Sequence, residues 1–394
     1  MKNGHFAIVA AAVAAALIAA PVRAQSTYDI HVIQPLTGGG SFLGKAEQQS
    51  LQLAEKVTNA SGGIGGKPLK FVFHDDQSNP QVAVQLANEV LATKPTVMVG
   101  SSLVALCNAM SPLMQAAGPV QYCLSPGIHP EGGSYTFTSS TSTTDLAIAL
   151  VRYFRLKGWT KIATMTSTDA SGQDAENNLK NVVQMPENKG VEIVEAGHFN
   201  TTDVSVSAQI ERIKAAKPQV LIAWSTGAPI ATIFRGVIQA GLDIPIATTD
   251  GNMTYAQMNQ YAEFLPKQLY IPAAQWVMGY SPSIKLPDAE AAKQKEFYDA
   301  FKGAGIQPDV ASELAWDPAM ILIDALKKLG PAATAPQVRE YISKLKGFVG
   351  VNGTYDFTKT TQRGLDIDNV VVTRWSATEK HWQVMSKPTG IPLE

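Results

Sequence analysis

Short apolar runs alternate along this chain with longer segments whose apolar positions recur every three to four residues, and small polar residues punctuate nearly every change. Runs at 28–34 (YDIHVIQ), 69–74, 96–99 and 120–124 predict strands. Segments 42–60, 81–92 and 103–117 predict the helices between them, the first with Leu43, Ala46, Leu51, Ala54 and Val57 approximating one face. A strand, a helix and a second strand within 97–124 have the length of a right-handed parallel crossover, so both strands should end on one edge of one sheet. Loops at that edge present free helix N-terminal N–H groups to a crevice, where open α/β sheets bind ligands. Two such loops meet there, Ser101/Ser102 and Ser125/Gly127/His129. They suit a carboxylate held without metal or nucleophile, and they equally suit two ordinary turns.

The alternation then resumes. A hydroxyl-rich run at 137–144 (FTSSTSTT) precedes a helix at 145–157, and reads as a passage between domains or as the lining of a polar pocket. Strands at 161–166, 191–199, 219–224 and 245–248 alternate with helices ending near Val183, at 205–216 and at 229–240, which predicts a second parallel sheet. Its strands also run into small polar loops, 167–172 and 225–228. Helices are expected at 286–303, 310–328 and 336–346, and a stretch at 348–356 (FVGVNGTYD) leads to strands 368–374 and 382–385, a hairpin turning at 376–380. The fold class is α/β in two similar halves.

Composition narrows the field. Lys2, an apolar run at 6–20, Pro21 and the small-residue end at 22–24 form a cleavable secretory signal, expected to be cut after Ala24. That run is shorter than the roughly 20 residues a bilayer requires. Gln25 follows where a lipid anchor would need cysteine. About 370 residues remain, more than one core usually holds, so two domains are expected. Charge is nearly balanced, 32 Lys and Arg against 33 Asp and Glu, with no basic run interleaved with aromatics; nucleic acid and anionic membrane are poor partners for such a surface. The two cysteines, Cys107 and Cys123, approach the same sheet edge, and export admits either a bridge or two buried thiols.

Other motifs weaken on inspection. Gly39-x4-Gly44-Lys45 resembles a phosphate loop until Ala46, which lacks the required hydroxyl. Asp75 and Asp76 more simply cap the next helix or pair with a lysine than hold a metal, and Asn79 before Pro80 is the expected cap. There is no G-x-S-x-G elbow and no H-E-x-x-H, so neither catalysis nor a cofactor is expected.

Segments 34–44 (QPLTGGGSFLG), 62–68 (GGIGGKP), 74–91 (HDDQSNPQVAVQLANEVL) and 124–129 (LSPGIH), the helix leading into Gly241, and Thr249-Asp250-Gly251 follow one another in a familiar order. Together they resemble the leucine/isoleucine/valine-binding family of periplasmic proteins of ABC transporters, over nearly the whole mature chain. The resemblance implies two Rossmann-like lobes joined by three crossing segments, with the ligand in the cleft between them. The lobes would be 25–143 plus 275–350 and 144–274 plus 351–394. It further implies a periplasmic location, capture by hinge closure, and an ABC permease in the inner membrane as partner; a monomer is expected.

It also implies a site. The first lobe would hold a ligand carboxylate at Ser101, Ser102 and Val104 and at Gly127, Ile128 and His129, with Val104 standing where a hydroxyl is usual. On the second lobe the family's Tyr-Gly pair reads Ser171-Gly172, and Asp250 replaces a glutamate that pairs with the ligand ammonium; Thr226 would face the same cleft. These departures leave two ligand classes open, a branched-chain or other amino acid and a benzoate- or cinnamate-type acid. Three further residues carry two readings each: His129 as carboxylate donor or as a surface or capping residue, Phe42 stacking on ligand or packing against the crossover helix, and Trp276 walling the cleft or buried at the hinge. Trp316 is most simply core. A ligand-sensing co-receptor of the same fold is the alternative to transport, since closure serves signalling equally well.

Overall fold

The computed structural model describes residues 26–114, 118–139, 141–281 and 283–393. The expected signal at 1–24 lies outside the described residues.

The first lobe is built on strands β1 (Tyr28–Gln34), β2 (Leu69–Asp75), β3 (Val97–Val99), β4 (Val120–Tyr122) and β5 (Thr136–Phe137), all parallel in the order β2-β1-β3-β4-β5. Parallel sheets need both faces covered. Helices α1 (Ser41–Ala60), α2 (Pro80–Ala92) and α3 (Val104–Met110) supply part of that cover. The expected cap of α2 is present: the Asn79 side chain accepts from the N–H groups of Gln81 and Val82, ahead of Pro80. The helix expected at 103–117 is shorter. α3 ends at Met110 and tightens into a 3₁₀ turn, Ser111–Met114, because Pro112 has no N–H with which to extend the α ladder. Cys107 and Cys123 are joined, with Cα atoms 6.2 Å apart, and tie α3 to the end of β4.

The second lobe follows as α4 (Thr143–Leu156), β6 (Lys161–Ser167), α5 (Ala170–Val183), β7 (Glu192–Phe199), α6 (Ser207–Ala215), β8 (Val220–Trp224), α7 (Ile230–Gln239), β9 (Ile246–Ala247), α8 (Tyr255–Gln260) and β10 (Leu269–Ala274). The chain then returns to cover the first lobe with α9 (Asp288–Gly303), α10 (Val310–Leu329) and α11 (Ala335–Ser343). Ser50 of α1 donates to the Ser312 carbonyl at 2.6 Å, and Thr96 beside β3 to that of Ala333 at 2.9 Å. Trp316 lies in this core, with ring centres 5.5 Å from Phe297 and 5.8 Å from Phe301.

A ribbon of β11 (Lys346–Val349) and β12 (Thr354–Asp356) pairs residues on both sides of the expected 350/351 boundary. It packs on the first lobe, where the Tyr355 hydroxyl donates to Asp317 at 2.9 Å and Phe357 meets Phe137 edge-on at 5.8 Å. Strands β13 (Val370–Ser376) and β14 (His381–Val384) then complete the second sheet, ordered β14-β13-β10-β9-β8-β6-β7. β13 runs antiparallel to both β10 and β14. Among the described residues the chain therefore passes between the lobes three times: between β5 and α4, after Ala274, and between Phe357 and β13.

Candidate functional site

Strands β3 and β4 of one sheet and β6, β8 and β9 of the other run their C-terminal ends toward a common crevice, as the crossover geometry requires. Leu43, Ser102, Val104, Ser125, Gly127 and Leu314 line it from the first lobe. Thr143, Ser171, Trp224, Thr226, Thr249 and Asp250 line it from the second, with Pro126 and Gly251 completing the wall. The enclosed space is about 20 Å³, close to the room of one water.

The lobes touch around this cavity. Ala228 N–H donates to the Gly39 carbonyl at 3.0 Å. Beside it Gly227 has φ +85°, and a Cβ there would stand 2.4 Å from the Gly39 oxygen, so glycine is needed for backbone conformation and for close approach alike. Val310 N–H donates to the Met253 carbonyl at 3.3 Å, again across the crevice.

Of the residues singled out from the sequence, Ser102, Val104, Gly127, Ser171, Thr226 and Asp250 lie on the cavity wall. The other five lie off it, each for a local reason. Ser101 donates its hydroxyl to Asp76 Oδ2 at 2.8 Å, facing away behind the loop. Ile128 packs with Val104 and the Cys107–Cys123 bridge in a small apolar cluster. His129 sits on the exposed rim with Nε2 2.8 Å from Asp174 Oδ1, reaching across to α5. Phe42 meets Tyr261 of the other lobe edge-on at 5.9 Å. Trp276 is fully buried in the second passage, its backbone N–H donating to Asn352 Oδ1 at 3.2 Å and its backbone carbonyl accepting from the Tyr298 hydroxyl at 2.6 Å.

Asp250 is the one acidic or basic side chain among the described residues that line the cavity. Its Oδ1 accepts from Thr249 Oγ1 and from Gly251 N–H, both at 2.8 Å. Burial nevertheless pushes its carboxyl up to about 6, against the pull of those bonds and of the Arg363 charge. Ser171 and Thr226 share a hydroxyl–hydroxyl bond of 2.9 Å. Gly172, next to Ser171, serves packing: a Cβ would lie 1.9 Å from the Ser167 carbonyl oxygen. Asp75 and Asp76 act as loop anchors. Asp75 accepts from Thr37 N–H, Thr37 Oγ1 and Gln77 N–H, and Asp76 from Ser78 N–H and Ser101. Among the described residues no group of three histidine, cysteine or acidic side chains is arranged to hold a metal.

Arg363 was invisible in the sequence pattern. It rises from the third passage, almost wholly buried, and donates to the carbonyls of Pro126 at 3.3 Å and Ile128 at 2.8 Å in the site loop. It also donates to Ser139 at 2.8 Å and to Thr141 in the first passage. One guanidinium thus fixes a cavity wall to two of the three connections.

The sequence profile of the Periplasmic binding protein family matches residues 27–380. The chain belongs to that family. Among its curated relatives, a leucine-, isoleucine-, valine-, threonine- and alanine-binding protein of Pseudomonas aeruginosa is 24% identical over 258 residues, 64% of this chain and 68% of that one. Among solved structures, the branched-chain amino acid transporter substrate-binding protein LivJ of Streptococcus pneumoniae in complex with isoleucine superposes with a TM-score of 0.74 at 20% identity, covering 94% of this chain and 98% of that one. A solute-binding protein of an ABC transporter from R. palustris in complex with benzoate gives 0.76 at 18%, covering 93% and 98%. As a periplasmic binding protein the chain shares the type I fold of these neighbours, with its cavity at the interface between lobes.

Proposed function

We propose that this periplasmic binding protein captures a small α-amino acid by closing its two lobes and delivers it to an ABC permease in the inner membrane. The observation that carries this reading is the charge of the wall. Among the described residues, Asp250 faces a cavity whose other polar groups are hydroxyls and the Trp224 indole, and no lysine, arginine or histidine lines it. An ammonium pairs with Asp250, while a carboxylate is served by hydroxyls and backbone N–H groups. Leu43, Val104, Leu314 and Trp224 supply the apolar remainder, suited to an aliphatic side chain. The P. aeruginosa relative, named for binding leucine, isoleucine, valine, threonine and alanine, supports the same class.

A second reading, an aromatic acid without an amino group, is favoured by one observation. Asp250 has its pKa raised to about 6, so in mildly acid solution it is a neutral donor that an anion would accept. A thermal-shift panel of branched-chain and small amino acids against benzoates and cinnamates separates the two, because a ligand bound only to the folded state raises the melting temperature with concentration. Stabilisation by the amino acids is expected. Stabilisation by the aromatic acids alone overturns the first reading.

Closure is tested at the lobe contact. Gly227→Ala costs about 1–2 kcal/mol for its left-handed backbone and places a methyl group against Gly39. The variant should fold, yet its scattering radius should not contract when an amino acid that compacts the wild type is added. Equal contraction in both proteins would place the closing contact elsewhere.

A further inference from the structure

Ser102 has one hydroxyl proton and two claims on it. Its side chain lines the cavity, yet in this state the proton is donated to Glu47 Oε2 at 3.1 Å. Glu47 sits on α1, fully buried; the same Oε2 accepts from Gln34 Nε2 at 3.2 Å, and Oε1 has no hydrogen-bond partner. A ligand carboxylate only accepts, so Ser102 can serve it only by turning its proton away from Glu47. An ionised Glu47 would then be a buried charge held by a single neutral amide, which is costly. A protonated Glu47 removes the conflict. Its O–H donates to Ser102 Oγ and Ser102 donates to the ligand, so the buried charge is removed and both protons have an acceptor.

We propose that Glu47 is a positioning residue that makes carboxylate capture proton-coupled: a proton taken from solvent onto Glu47 releases the Ser102 hydroxyl to the ligand. The proposal rests on the carboxylate-binding reading above. The surroundings of Glu47 favour that proton. Asp76, after β2, and Asp309, ahead of α10, both add negative charge, while Ser102 and Gln34 are the groups that stabilise the ionised form. With burial as the largest cause, its carboxyl is pushed up to about 8 in the free protein.

The sign follows. Below about pH 7 Glu47 already carries its proton, and capture takes up none there. Above about pH 8 the free protein has lost it, so capture takes up close to one proton and affinity falls by up to about tenfold per pH unit. The experiment is titration calorimetry on the mature protein with L-leucine, L-alanine and benzoate, at pH 6 and pH 9, in buffers of different ionisation enthalpy. Proton uptake at pH 9 that is absent at pH 6, and absent in both E47Q and S102A, is the expected result; the two variants break the coupling at different ends. A ligand ammonium also titrates near the alkaline limit, so the difference between wild type and variants carries the decision. Uptake that survives in E47Q, or no uptake in the wild type at pH 9, overturns the coupling. Should none of the probes bind at any pH, the ligand reading itself fails. The coupling is then decided on the free protein by infrared titration. A buried carboxylic acid that is lost in E47Q, titrates near pH 8 and moves in S102A supports it, and a Glu47 ionised throughout pH 6–9 overturns it.

Discussion

Asp250→Ala is expected to weaken capture of an α-amino acid by about 3 kcal/mol, roughly a hundredfold, because it leaves a desolvated ammonium without its counter-charge. Isothermal titration at pH 7.5 reads the loss directly. Asp250→Asn, which keeps the shape and the bond to Thr249 but not the charge, should fall nearly as far. The pH profile gives an independent sign. The carboxyl of Asp250 lies at about 6 in the free protein, raised above its ordinary value, and an ammonium needs the ionised form. On the Asp250 side, amino-acid affinity should therefore hold between about pH 7 and pH 8, where the Glu47 limb begins, and decline below about pH 6, by up to tenfold per unit. An anion without an amine should show the opposite slope, tightening as Asp250 gains its proton. Unchanged amino-acid affinity in the alanine variant would exclude ammonium pairing at this position.

The legibility of this site in the sequence follows from how local each determinant is. Residues at the C-terminal ends of strands can be placed by the βα alternation alone, which is why Ser102, Gly127, Ser171, Thr226 and Asp250 were within reach. Trp224 and Thr249 obey the same rule as strand-end residues, and its consistent application would have included them. Side-chain direction is a different matter. Ser101 and Ser102 are neighbours in one loop, yet one turns to Asp76 and the other to the cavity, a choice set by carboxylates that arrive from β2 and α1. Phe42 and His129 each carried two readings that sequence could not separate, and their side chains meet the facing lobe, at Tyr261 and Asp174. Leu314, some 190 residues beyond the nearest first-lobe loop of the wall, and Arg363 had no sequence signal, because only the return of the chain across the crossings brings them to the site.

That return makes Arg363 the position with the largest expected effect on stability. A buried guanidinium offers five donors in a fixed plane, and here four carbonyls from two separate segments accept from it. Burial lowers its pKa to about 10, still well above neutrality, while Asp145, Asp174 and Asp250 support the charge from a distance. Arg363→Met removes the donors and leaves the carbonyls of Pro126, Ile128, Ser139 and Thr141 with fewer partners. At about 1 kcal/mol for each lost bond the loss is about 4 kcal/mol, read as a lower urea midpoint with little change in slope. Arg363→Lys keeps the charge but has three donors on a tetrahedral head, which cannot span four carbonyls in a plane; it should recover only a small part of the stability. The lysine variant matters for a second reason. Pro126 and Gly127 belong to the cavity wall, so a chain that folds with this loop unpinned should bind more weakly at unchanged Asp250 chemistry, its affinity falling without any shift in the acid limb of the pH profile. A lysine variant as stable and as tight as the wild type would mean that the loop holds its shape without the guanidinium.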